Sequence, residues 1–445
     1  MKHAKAWLCL LMSMVLLAGC AGTAAQGTID TVDTTVATTT VEATTLPTMP
    51  ALDVNAFPGT LVNTDPYTEP EGDAERLAYR RDLVEAEMRR MMTMYWTPAE
   101  DITYNFTDSY SVTLKAGRIY RGMPYTHAFG SEYGFLTYAT AQNEQGVYTI
   151  EGLTGTSLSG NGSVCRIGNN CSGAVMQAWS CVSPTVRFEM TSRMTEAYGC
   201  IKVGDYQCNE AMYAGSTQRI LDANGQQTMF GCYALLQKGD ALVCRREDGT
   251  GHTVMVVNAH VERNADNTID GEMSYVIILE QVENNLQFER NYYDEKLGQT
   301  VYKACGVDTQ WSFNEVYKRL YLPVTCKELV DPTPLPEETV KDSATEFSFK
   351  TLCSGTITSN YPMSHLTMTI TDARGAVVQQ ATCYVTMKDR NQFRLTQFTS
   401  SIERPLLQGS FDPNELLPGQ YHCRLSCTIS TGRTFLLRDY DFTVE

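Results

Sequence analysis

Ile167-Gly168-Asn169-Asn170-Cys171-Ser172-Gly173-Ala174-Val175-Met176-Gln177-Ala178-Trp179 is the stretch on which the fold turns. Asn169 and Asn170 have side chains suited to capping a helix, and Cys171, Val175 and Trp179 then recur at i, i+4 and i+8. The pattern predicts a buried helix with Cys171 in its first turn. There the unpaired backbone N–H groups and the helix dipole favour thiolate over thiol. A cysteine so placed is a competent nucleophile once a base stands near it.

The base is sought among six histidines. His3 lies in the leader, and His365 and His422 lie far downstream in a separate β-rich segment, which leaves His127, His252 and His260. Gly239-Asp240-Ala241-Leu242-Val243-Cys244, the turn Glu247-Asp248-Gly249-Thr250-Gly251, and His252-Thr253-Val254-Met255-Val256-Val257 together predict a hairpin. His252 opens its second strand. A histidine there, facing a cysteine carried on a helix, is the arrangement of a papain-like Cys-His pair. His260 falls near the other end of the strand and is the poorer candidate, and His127 reads as a pocket-lining or surface residue.

A third group should accept from the other ring nitrogen of His252. The strand Ser274–Val282 carries the adjacent polar pair Glu280-Gln281 at the end of an apolar run. Neighbouring strand residues face opposite ways, so one of the two can serve. Glu280 is favoured because a carboxylate stabilises an imidazolium more than an amide does, and Gln281 is the alternative.

The order Gly122-Met123-Pro124-Tyr125, then Asn170-Cys171-Ser172-Gly173-Ala174-Val175, then Gly239-Asp240 ahead of Gly251-His252 resembles the NlpC-type cell-wall cysteine peptidases. A Glu on the strand after the histidine also resembles the related CHAP amidases. The likeness covers about residues 117–285 and rests on two short blocks. It implies a papain-like α+β fold and cleavage of peptidoglycan stem peptides or cross-bridges. It further implies Cys171 as nucleophile, His252 as general base and Glu280 as orienting group. Tyr125 would belong to the substrate pocket, with Asn170 and Ser172 beside the nucleophile at the substrate. Three departures bear on substrate preference. Asn170 stands where the family has Asp, and Thr126-His127-Ala128 replaces an aromatic-Gly-Gly stretch. An insertion near residues 185–230, with Cys200 and Cys208, separates Cys171 from His252.

Outward from this block, Leu77, Val84, Met88, Met91 and Tyr95 form an apolar stripe that predicts a packing helix over 73–96. Asp73 would cap it, Pro98 lies just past its end, and Arg and Glu are expected on the opposite face. The first residues, MKHAKAWLCLLMSMVLLAGC, combine Lys2 and Lys5 with a short apolar run and small residues before Cys20. This looks like a bacterial lipoprotein signal over residues 1–19, with Cys20 lipidated; an ordinary secretory signal is the alternative. Residues 20–58 read as a Thr-rich solvated tether, and 59–328 as the catalytic domain. The run Asp331-Pro332-Thr333-Pro334-Leu335-Pro336 marks a Pro-rich linker over 329–344. Strand signals at Phe347–Leu352, Leu366–Ile370, Val377–Val385, Tyr421–Ile429 and Thr434–Phe442 then predict an Ig-like β-sandwich over 345–445.

Composition sets the outer limits. The 445 residues are 43% hydrophobic, enough for real cores, and 51 acidic against 35 basic side chains give a charge of −16. That balance argues against nucleic acid as a partner, since phosphate binding needs clustered Lys and Arg. Fifteen cysteines invite a metal reading, but no C-x-x-C occurs. Cys423 and Cys427 alternate inward with Tyr421, Leu425 and Ile429 as a strand would. Neither a phosphate loop nor any cofactor motif is present. With Cys9 in the leader, Cys20 on lipid and Cys171 free, twelve cysteines remain as bridges or as buried thiols.

The expectation is therefore an extracytoplasmic, membrane-anchored hydrolase reaching into the cell wall, with peptidoglycan or wall peptide as partner and no cofactor or metal. The alternatives are a non-catalytic surface or adhesion lipoprotein that binds wall peptide, and a cysteine hydrolase of another amide or protein.

Overall fold

The structure is a computed structural model that describes residues 64–107, 110–126, 130, 132–136, 138–153, 168–385, 390–399 and 406–445. The leader, Cys20, the tether, His127 and Cys165 lie outside the described residues. What is described is a mixed α/β body, mostly sheet, with an all-β C-terminal part.

Helix α1 spans Asp73–Thr93, with Asp73 and Glu75 in its first turn and Arg90 in its last, the arrangement its dipole favours. Val84, Met88 and Met91 are fully buried, as the stripe predicts. Three details differ from expectation. The N-cap is Gly72, without a side-chain bond, and Asp73 is the first helical residue. Tyr95 and Pro98 belong to a strand, Tyr95–Pro98, because Trp96 must turn into the core. The charged face is not solvated either: Arg76, Arg80, Arg81, Glu85 and Glu87 are buried. Arg80 bonds Glu69 through Nε at 2.6 Å and donates to the carbonyls of Glu328, Asp331 and Thr333 at 2.8–2.9 Å. Arg81 reaches Asp240 at 2.9 Å and the Leu329 carbonyl at 2.9 Å. A guanidinium is a fork of donors, and here it gathers carbonyls of the expected linker onto the helix.

Helix α2, Cys171–Ser180, is buried on every side, packed between α1 and a six-stranded antiparallel sheet. The strands of that sheet are β1 (Cys200–Lys202), β2 (Ala241–Arg245), β3 (Gly251–His260), β4 (Tyr275–Gln281), β5 (Cys305–Ser312) and β6 (Leu322–Cys326). Their order is β5-β4-β3-β2-β6-β1. β2 and β3 form the expected hairpin, with Cys244 opposite His252. A second, mixed six-stranded sheet runs through Asn291–Asp294, Gln299–Lys303, Ile119–Arg121, Tyr95–Pro98, Val147–Ile150 and Ala139–Gln142. Its strands are three to five residues long, too short for their alternation to stand out in the sequence.

The C-terminal part has a five-stranded sheet and a three-stranded sheet around one core that includes Ile357, Phe393, Leu366, Met368, Leu425 and Cys427. Phe347–Leu352, expected as a strand, instead holds a 3₁₀ turn at Phe349–Thr351. Ser348 and Thr351 form a reciprocal cap that competes with strand pairing. Cys423, Leu425, Cys427 and Ile429 face inward; Tyr421 is half-buried and stacks on Phe442. This part touches α2 directly. Arg390 donates to Gln177 Oε1 at 2.8 Å, and Ser430 Oγ donates to the Ser180 carbonyl at 2.5 Å.

Candidate active site

The start of α2 is built by backbone geometry before any side chain acts. Asn169 N–H donates to the Pro124 carbonyl at 3.2 Å and Thr126 N–H to the Asn169 carbonyl at 3.0 Å, a parallel bridge that sets Tyr125 beside the helix. Gly168 precedes it at φ 102, where a Cβ would lie 2.5 Å from the Pro124 oxygen. A glycine is required on both counts. Asn170 then caps the helix, its side chain accepting from Gly173 N–H at 2.6 Å.

The predicted residues come together in part. Cys171 is 5% exposed and within hydrogen-bonding reach of His252. His252 Nε2 lies 3.1 Å from Glu280 Oε2, which leaves the other ring nitrogen to face the sulfur. Gly306, opposite Glu280 on β5, makes room for this reach: a Cβ there would meet Glu280 Cγ at 2.5 Å. Gln281 points to the other side of β4, donating to the Met123 carbonyl at 2.9 Å and accepting from Cys305 Sγ at 2.7 Å. Glu280, not Gln281, is therefore the neighbour of His252. His260 stacks on Tyr275 and pairs with Glu262 at the far end of β3, away from Cys171.

Burial alone would push the Cys171 thiol up. The hydrogen bond and charge of His252 outweigh it, with help from Thr191 and the Thr253 backbone N–H, and bring the thiol down to about 7. Burial likewise opposes the charge on His252, but Cys171 and Glu280 raise its pKa from 6.5 to about 10. The two shifts describe one ion pair, thiolate with imidazolium. Tyr125 also hydrogen-bonds Cys171; burial first, then the charges of Cys171 and Glu283, raise its phenol well above the ordinary range.

Asn170 and Ser172, expected beside the nucleophile at the substrate, are both buried. They are 2% and 1% exposed, and Ser172 Oγ lies 2.9 Å from the Glu189 carbonyl and 3.1 Å from Asn170 Oδ1. Both hold the helix start together from behind. One residue at the sulfur was not anticipated. Thr191 Oγ1, from the segment between Cys171 and His252 expected as an insertion, lies 3.6 Å from Cys171 Sγ. Nothing in its sequence context marks it, because it reaches the site by tertiary packing alone.

Among the described residues no group of three or more His, Cys, Asp or Glu side chains is placed to hold a metal, and no helix is long and apolar enough to cross a membrane. The twelve described cysteines are free thiols.

No protein-family model matches the chain, and no curated protein matches it. Among solved structures it is similar to the fibronectin(III)-like modules of CbhA from Clostridium thermocellum. That match has 10% identity, covers 46% of this chain and 77% of that one, and has a TM-score of 0.14, too loose a superposition to relate the folds.

Proposed function

We propose that this protein is a papain-like cysteine hydrolase that cleaves amide bonds by acyl transfer. The observation that carries the reading is the array Cys171, His252 and Glu280: a helix-borne sulfur, a strand-borne imidazole and a carboxylate on the ring's second nitrogen. The thiolate attacks the carbonyl carbon, and the developing oxyanion is met by the first-turn N–H groups of α2. The C–N bond then breaks as the His252 imidazolium gives its proton to the leaving amine. Water attacks the thioester next, His252 takes its proton, and the carboxylic acid leaves with the thiolate restored. Glu280 keeps the ring oriented throughout and stabilises it whenever it carries the proton.

Cell-wall peptide is the substrate we favour, on the likeness of the two sequence blocks to NlpC-type and CHAP enzymes. In this reading Cys20 carries lipid, the protein acts outside the cytoplasm, and the C-terminal part is an Ig-like sandwich that spaces or presents the hydrolase. The full chain and Cys171→Ala, each incubated with purified peptidoglycan, provide the test. Fragments released by the wild type alone support the reading, and their masses name the bond. Peptide bound by both proteins with nothing released would instead make it a wall-binding lipoprotein.

A further inference from the structure

We propose that Thr191, contributed by the insertion, is a further working group of this site: its hydroxyl donates to the Cys171 sulfur and is itself supplied by Thr253. The inference rests on the reading of Cys171 as the nucleophile. Thr191 opens the 3₁₀ turn Thr191–Arg193 and is 8% exposed. Two contacts hold it there. Tyr213 OH, from a helix of the insertion, donates to the Thr191 carbonyl at 2.5 Å. Gly251 lies against its methyl, where a Cβ would come within 3.0 Å of Thr191 Cγ2.

Thr191 Oγ1 is 3.6 Å from Cys171 Sγ and 3.0 Å from Thr253 Oγ1, and Thr253 Oγ1 is 3.3 Å from Met194 Sδ. Each hydroxyl has one proton to give, so this chain has two settings. A thiolate can only accept, so Thr191 turns its proton to the sulfur and Thr253 gives its own to Thr191. Once the sulfur is acylated its charge is gone. Thr191 then donates to Thr253, and Thr253 to Met194. The hydroxyl pair thus favours the charged sulfur, both before attack and as leaving group when the thioester is hydrolysed. The other titratable groups facing Cys171 are His252, Tyr125 and Tyr321, with Glu280 behind His252 and Glu283 beside Tyr125. None of them lies in the insertion. On this view the insertion completes the site as well as separating its two sequence blocks.

The test uses the full chain as wild type, Thr191→Val and Thr191→Ser. The rate of Cys171 alkylation by iodoacetamide is followed against pH by peptide mass, and melting temperature is recorded alongside. Valine keeps the shape and removes the hydroxyl; serine keeps the hydroxyl. We expect Thr191→Val to move the inflection up by about half a pH unit, an approximately threefold loss of rate below it. Thr191→Ser should restore the wild-type profile, with both variants melting near the wild type. Overlapping wild-type and Thr191→Val profiles, or a serine variant as slow as the valine one, would overturn the proposal and leave the nucleophile reading intact. A wild-type Cys171 without an acid-shifted inflection would take down the nucleophile reading itself.

Discussion

Two buried cysteines on two sides of the molecule behave in opposite ways. Cys171 at the start of α2 is 5% exposed, and its thiol is brought down to about 7. Cys427 in the core of the C-terminal part is fully buried, and burial pushes its thiol far up; its neighbour Cys423 is raised to about 12. Burial acts on all three in the same direction. What separates Cys171 from Cys427 is a charged partner: Cys171 has His252, itself held charged by Glu280, whereas burial is the sole cause acting on Cys427. At Cys423 burial outweighs the charge of Arg438, which lacks the hydrogen bond that His252 gives Cys171. Burial therefore marks no nucleophile; a cation at the sulfur does.

The largest effect should come from removing the sulfur. Cys171→Ala should lower amide hydrolysis by about 10³-fold or more, and it should abolish the rapid phase of iodoacetamide labelling in the folded protein. Mass spectra showing fast labelling at Cys423 or Cys427 would break the contrast. Removing the cation comes next. His252→Ala should also cost about 10³-fold in hydrolysis, and should move the alkylation inflection of Cys171 up, because burial is then opposed only by the hydrogen bonds from Thr191 and the Thr253 backbone.

The pH dependence follows from the same pair. Cys171 is lowered, so thiolate is gained as pH rises through about 7. His252 is raised, so imidazolium is lost as pH rises through about 10. Hydrolysis should follow a bell between those limits, measured as kcat/KM against pH. Glu280→Gln should lower its alkaline limb and cost roughly 10- to 100-fold in rate, since the amide no longer stabilises the charged ring.

Smaller effects test stability without chemistry. Gln281→Ala strips the buried partner of the Cys305 thiol, so it should destabilise by about 1–3 kcal/mol while sparing kcat. Cys427→Ser places a hydroxyl in an apolar core and should cost about 1–3 kcal/mol in urea melts, with hydrolysis unchanged.

Much of the site was legible because its signals are local. Asn170 capping, the i, i+4, i+8 spacing from Cys171 and the Gly-rich turn before His252 each depend on a few adjacent residues. Strand alternation could not choose between Glu280 and Gln281, and the charge argument alone favoured Glu280. Only the neighbouring strands, with Gly306 making room on one side and Met123 and Cys305 on the other, separate them. Similar reasoning explains α1, whose apolar stripe was correct and whose charged face was misjudged. Periodicity reads an arginine as solvated, and carbonyls more than two hundred residues away made Arg80 a buried clamp.

The sequence by itself determined the helix that carries Cys171, the hairpin that carries His252 and four strands of the C-terminal part, because capping, periodicity and turn chemistry act over short stretches of chain. Tertiary structure alone decided that Glu280 meets His252, that Asn170 and Ser172 face inward and that Thr191 reaches the sulfur. The contacts of Thr191 with Cys171 and of Glu280 with His252 join positions 20 and 28 residues apart in the chain, and only packing selects which side chains meet.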